Sequence, residues 1–102
     1  MAEREVHRRL AAVLAADVAS YTRLMEDDTD GTVAAWQDAR EDVIKPQVAE
    51  HSGTIVKLTG DGFLVEFPTV QAAVNCALAM QAGLAANSLK FRIGVNLGDI
   101  VD

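Results

Sequence analysis

Two short apolar runs, Thr54–Leu58 and Phe63–Phe67, lie so close together that only a tight reversal can join them. They belong to the stretch GTIVKLTGDGFLVEF, from Gly53 to Phe67, and its Asp61-Gly62 pair reads as the turn of a β-hairpin. An isolated hairpin is marginal in water and needs further strands or a helix to bury its apolar face. The rest of the chain must supply them.

It does so in a definite order. Leu10 to Val18 is a nearly continuous apolar run, consistent with a strand buried on both faces, and SYTRLMEDD after it reads as a turn with a short helical piece. From about Asp30 to His51 the spacing predicts a helix. Asp30 or Thr32 is placed to cap it, and Val33, Trp36, Val43, Ile44 and Val48 fall mostly on one face. Pro46 should kink or restart that helix, and Ser52-Gly53 should stop it. Pro68-Thr69 opens a second helix to about Asn87, with Val70, Ala73, Val74, Ala77, Leu78 and Leu84 as its apolar stripe. Leu89 to Asn96 alternates as a fourth strand. Residues 1–9 are polar and charged and read as a flexible N-terminus ahead of a single domain over 10–102.

The order β-α-β-β-α-β defines an α+β, ferredoxin-like fold: a four-stranded antiparallel sheet with both helices on one face. In that topology strands one and two run the same way, with strand three between them. The end of strand one and the hairpin joining strands two and three then share one edge of the sheet. Asp17 closes strand one and Asp61 sits in the hairpin, so two carboxylates distant in sequence are brought together.

Composition limits the partners. Fifteen acidic against nine basic residues give a net charge of −6. Without a basic stripe the chain lacks what binds DNA or RNA. Cys76 is the only cysteine, which excludes an internal disulfide and suits a reducing cytoplasm. The apolar run after Arg8-Arg9 is short and broken by Asp17, so no membrane segment is expected. Cys76 reads as a small helix-face residue, Trp36 and Phe67 as core, and His51 as a helix-end residue; His7 and His51 are not spaced as a metal pair.

Either aspartate alone has an ordinary structural reading, as a turn residue or a cap. Together at one sheet edge they suit hard cations such as Mg²⁺ or Mn²⁺, which can clamp the oxygens of a phosphoryl transfer. Beyond this pairing, LAADVASYTRLME and GTIVKLTGDGFLVEF, followed by AVNCALAMQ and FRIGVNLGDIV, resemble the catalytic domain of bacterial class III adenylyl/guanylyl cyclases. The resemblance runs from about Leu10 to the end.

The resemblance implies conversion of a nucleoside triphosphate to a 3′,5′-cyclic nucleotide and pyrophosphate in a homodimer with shared active sites. It makes Asp17 and Asp61 the catalytic carboxylates that bind two metal ions, with the backbone carbonyl of Val18 as a further ligand. It places the amides of the turn Ala19, Ser20, Tyr21 and Thr22 near the phosphates. Arg92 would reach the phosphates, its alternative being an ordinary exposed strand arginine. Lys57 would read the purine of the partner's site; a lysine donor suits N1 of adenine, which favours ATP as substrate and cyclic AMP as product.

Three departures qualify this. Ser20 stands where many members have Gly, and Tyr21 where many have Phe. The chain also stops at Asp102, ahead of the family's second purine-reading residue and of the asparagine and arginine that steady the transition state. Little or no cyclase activity is therefore expected of these 102 residues alone, as the N-terminal part of such a domain. A non-catalytic nucleotide-binding or dimerisation module is the alternative. A GGDEF-type diguanylate cyclase ranks lower, because Thr-Gly-Asp-Gly-Phe lacks the second acidic residue of that hairpin.

Overall fold

The computed structural model describes residues 8–101. Its elements are β1 (Arg8–Val18), α1 (Tyr21–Asp27), α2 (Thr29–Ala39), a π-helical turn (Arg40–Ile44), α3 (Lys45–Glu50), β2 (Thr54–Leu58), β3 (Gly62–Phe67), α4 (Val70–Leu84) and β4 (Phe91–Val101). The four strands form one sheet in the order β2-β3-β1-β4, every neighbouring pair antiparallel. This is the ferredoxin-like order, and β1 and β2 run the same way on either side of β3.

The first strand is longer than its apolar run because Arg8 and Arg9 pair with Val101 and Ile100 of β4. Arg9 also holds Glu66 of β3 through two guanidinium contacts of 2.7 and 3.0 Å. The flexible segment expected over 1–9 is thus corrected at its end, and residues 1–7, with His7, lie outside the described residues. β1 is also not buried on both faces. Ala12, Leu14, Ala16 and Val18 are buried under the helices, while Val13 is half-buried and Ala15 exposed on the uncovered face. On that face Ala11 is buried and Ala15 exposed, so the apolar run reads as core throughout although only part of this face is covered. Likewise β4 extends to Val101, five residues past Asn96, because β1 offers partners along its whole length.

The predicted Asp30–His51 helix is present as α2, a π turn and α3 in continuous succession. Pro46 has no amide to donate and cannot continue an α-helical ladder; widening the preceding turn to π geometry accommodates it without a break. The cap is Asp28, which accepts from the Gly31 amide at 3.0 Å, rather than Asp30 or Thr32. An ordered seven-residue helix, α1, precedes it. At the far end Gly53 donates to Val48 O and Ser52 to Ala49 O, a Schellman closure. Ser52, at φ 61°, takes the left-handed position. Gly53 is needed for space instead: a Cβ there would lie 2.7 Å from the Phe67 ring.

α4 is capped by Thr69, whose hydroxyl accepts from Ala72 N at 3.0 Å. Its buried face is Ala73, Cys76, Met80 and Leu84; Val70, Val74 and Leu78 of the expected stripe are exposed. This helix is apolar almost all round, so periodicity does not fix its phase. Packing does: Leu14, Phe63, Val65 and Phe67 fill the sheet side, with Ala73 and Cys76 leaving them room and Met80 and Leu84 joining the core. Trp36 lies 6.3 Å from the Phe63 ring and 5.7 Å from that of Phe91, tying α2 to the strands that carry the site.

Candidate active site

The site grows from the end of β1. Val18 N donates to Asp61 O at 2.8 Å and Ala19 N to Lys90 O at 2.8 Å, so the last residues of β1 are fastened on both sides. Gly62 faces Asp17 in the strand register. A Cβ on Gly62 would lie 2.5 Å from Ala16 O, so only glycine permits this approach. The turn is centred on Gly60-Asp61, one residue earlier than its sequence suggests, and is closed by Thr59 N donating to Gly62 O at 2.9 Å. Gly60 has open space around it and does not need its freedom there.

Asp17 and Asp61 line one open cleft of about 280 Å³, together with Lys57, Thr59 and Leu64. Lys57 reaches it through a bulge. Ile55 pairs with Val65, yet Lys57 pairs with Leu64, which leaves Val56 as the extra residue. Unbroken alternation from Ile55 would turn Lys57 towards the helix-covered face; the bulge returns it to the cleft. A charged residue in phase with Ile55 was the available sequence signal for that bulge. Thr59, which the motif reading passed over, sits in the same cleft with its hydroxyl 3.4 Å from Asp61 Oδ1.

Arg92 stands opposite Asp17 on β4 and closes a row Gly62–Asp17–Arg92 across three strands. Its Nε donates to Asp17 Oδ1 at 2.7 Å and its Nη2 to Oδ2 at 3.1 Å. The hydrogen bond that Arg92 donates to Asp17, then the charge of Asp17, and more weakly the charge of Asp61, raise the Arg92 pKa. The guanidinium therefore sits in the field of both carboxylates. In the turn after β1, Ser20 is held at φ 57°, ψ 35°, a left-handed conformation that favours glycine. Ala19 spends its amide on Lys90. Tyr21 is half-buried against the core, and Thr22 is exposed.

The donor set is all oxygen. Among the described residues no three or more His, Cys, Asp or Glu side chains gather as a metal cage. The two carboxylates fit a cation that takes its remaining ligands from phosphates and water, as Mg²⁺ does.

No family model matches the chain. It is 44% identical over 109 residues to a Rhizobium meliloti protein named "Putative adenylate cyclase 3", covering 99% of this chain and 19% of that one. An adenylate/guanylate cyclase/hydrolase structure from Silicibacter pomeroyi superposes with a TM-score of 0.83 at 41% identity, over 96% of this chain and 62% of that one. The guanylyl cyclase Cya2 superposes with a TM-score of 0.75 at 29% identity, over 93% and 57%. The fold is that of a nucleotide cyclase catalytic domain. The chain belongs to the class III adenylyl/guanylyl cyclase family, and it spans about a fifth of the length of the curated relative above.

Proposed function

We propose that this chain provides the metal-binding side of a cyclase site that converts ATP to 3′,5′-cyclic AMP and pyrophosphate, in a homodimer. The observation that carries the reading is the clamp between Val18 and Asp61, which sets Asp17 and Asp61 on one cleft with Lys57. Asp17 and Asp61 would hold Mg²⁺ or Mn²⁺, with the Val18 carbonyl as a further ligand. The chemistry supplied by such a pair, when bound, is activation of the ribose 3′-hydroxyl and neutralisation of the departing pyrophosphate. Arg92 offers a planar fork of donors to phosphate oxygens. Across the homodimer, Lys57 donates to N1 of the adenine held at the partner's site. Amides of the turn after Ala19 face the triphosphate at the start of α1.

A homodimer is supported by the uncovered sheet face beside the cleft, with a hollow of about 560 Å³ lined by Val13, Ala15, Leu64 and Gly94. No helix among the described residues is long and apolar enough to cross a membrane. A cytoplasmic setting suits both ATP and the lone thiol of Cys76. The test is calorimetric titration with a non-reactive ATP analogue in Mn²⁺. Binding should be lost in Asp17→Ala and in Asp61→Ala. Binding that survives both substitutions would sink the proposal, and chromatography of products from ATP and GTP tests the base preference.

A further inference from the structure

Asp17 in this chain already has a cation. Arg92 takes one hydrogen bond to each carboxylate oxygen, at 2.7 and 3.1 Å, from a fixed position on the neighbouring strand. These are the two oxygens that a hard cation would need. Each keeps a second lone pair, so a divalent ion is not sterically barred. It must bind beside a guanidinium already in place, or displace it. The neighbours do not offset that positive charge completely: Asp61 lies near enough to act on Arg92, while Lys57 adds another positive group on the same cleft.

We propose that Arg92 is an internal counter-ion that competes with the divalent cation for Asp17, and is released to the phosphates only when metal and triphosphate arrive together. This rests on the reading of Asp17 as a metal ligand. The device would keep the bare site from filling with free cations, since the guanidinium leaves Asp17 readily only when phosphate oxygens give it equivalent partners. Arg92 is therefore a positioning residue for Asp17 in the empty site and a phosphate contact in the loaded one. Its side chain is exposed and its loss removes only a surface ion pair, so the fold should survive substitution.

The two roles predict opposite signs. Titration with Mn²⁺ alone, followed by electron paramagnetic resonance of the free ion, should show Arg92→Gln binding about threefold to tenfold more tightly than wild type. Arg92→Lys, which keeps the charge, should stay within about twofold of wild type. Titration with the Mn²⁺ complex of a non-reactive ATP analogue should instead show Arg92→Gln binding more weakly. Asp17→Asn added to Arg92→Gln should abolish the tightening. Mn²⁺ binding to Arg92→Gln that is no tighter than wild type, or unmeasurable in both, overturns the inference. If that binding is nonetheless lost in Asp17→Asn, the metal-ligand reading stands without it. If Asp17→Asn and Asp61→Asn leave Mn²⁺ binding intact, the metal-ligand reading fails and the inference fails with it.

Discussion

Val18 donates its amide to the carbonyl of Asp61, 43 residues away in sequence, at 2.8 Å. This bond makes the hairpin an extension of the central strand. It fixes Asp61 relative to Asp17 through backbone rather than through flexible side chains, which is how a site gains the precision that chemistry demands.

The two glycines of the hairpin should therefore behave differently. Gly62→Ala drives a Cβ against Ala16 O and must push the hairpin off β1. We expect a loss of about 1–3 kcal/mol in urea unfolding, with weaker metal–nucleotide binding. Gly60→Ala meets nothing within 4 Å and no positive φ, so it should be neutral or gain up to about 1 kcal/mol. Equal losses at the two positions would show that the close approach is not what selects Gly62.

Ser20 carries backbone strain in the turn before α1. A left-handed conformation costs an ordinary residue about 1–2 kcal/mol, partly offset here because glycine gives up about 0.5–1 kcal/mol more entropy on folding. Ser20→Gly should then stabilise the chain by about 0.5–1 kcal/mol, seen as a melting point several degrees higher. An unchanged or lower melting point would mean that the serine hydroxyl compensates for the strain.

Phe63 joins the site to the core. It follows Gly62 directly, is buried, and stacks on Trp36. Phe63→Ala should cost roughly 3–5 kcal/mol, and Phe63→Leu much less, in the same unfolding measurement. A small loss for the alanine variant would show that the hairpin is held mainly by its backbone bonds.

These positions show what the sequence could reveal. The topology, the meeting of Asp17 with Asp61 and the burial of Trp36 and Phe67 were legible because they follow from element order and strong apolar patterns. The phase of α4 was not, since Val70, Val74 and Leu78 are as apolar as the Ala73 and Cys76 that face the sheet. The π turn before Pro46 is a one-residue adjustment that leaves composition untouched, and the bulge at Val56 shows in the sequence only as a charged Lys57 in phase with Ile55. The Arg92–Asp17 pair depends on register between β1 and β4, and a sequence pattern gives the strands without their alignment.

Cys76 supplies a pH-dependent prediction. Burial pushes its thiol up from 9.0 to about 11. Below pH 9 the thiol is protonated whether the chain is folded or not, and pH has no leverage through it. Between pH 9 and about 11 the unfolded chain loses this proton while the folded chain keeps it. Stability should fall there by up to about 1.4 kcal/mol per pH unit relative to Cys76→Ala, which shares the other titrations. At neutral pH a thiol reagent should label Cys76 only as the chain unfolds. Rapid labelling of the native chain would contradict its burial.

Lys57 carries the nucleotide preference of the proposed site, and its position depends on the bulge at Val56. Two variants test the residue and the bulge in turn. Lys57→Glu replaces a donor with an acceptor at the base contact. That suits the N1 donor of guanine and opposes adenine, so the affinity ratio for Mn²⁺–ATP over Mn²⁺–GTP analogues should fall by roughly tenfold or more. Deleting Val56 removes the extra residue and leaves Lys57 next to Ile55 and opposite Leu64, so the lysine keeps its face. The ratio should then be retained, which separates the residue from the bulge. Metal binding at Asp17 and Asp61 should persist in Lys57→Glu, because the hairpin bonds do not involve that side chain. A ratio unchanged in Lys57→Glu would remove Lys57 from base recognition. The preference for adenine would then have to come from elsewhere in the site.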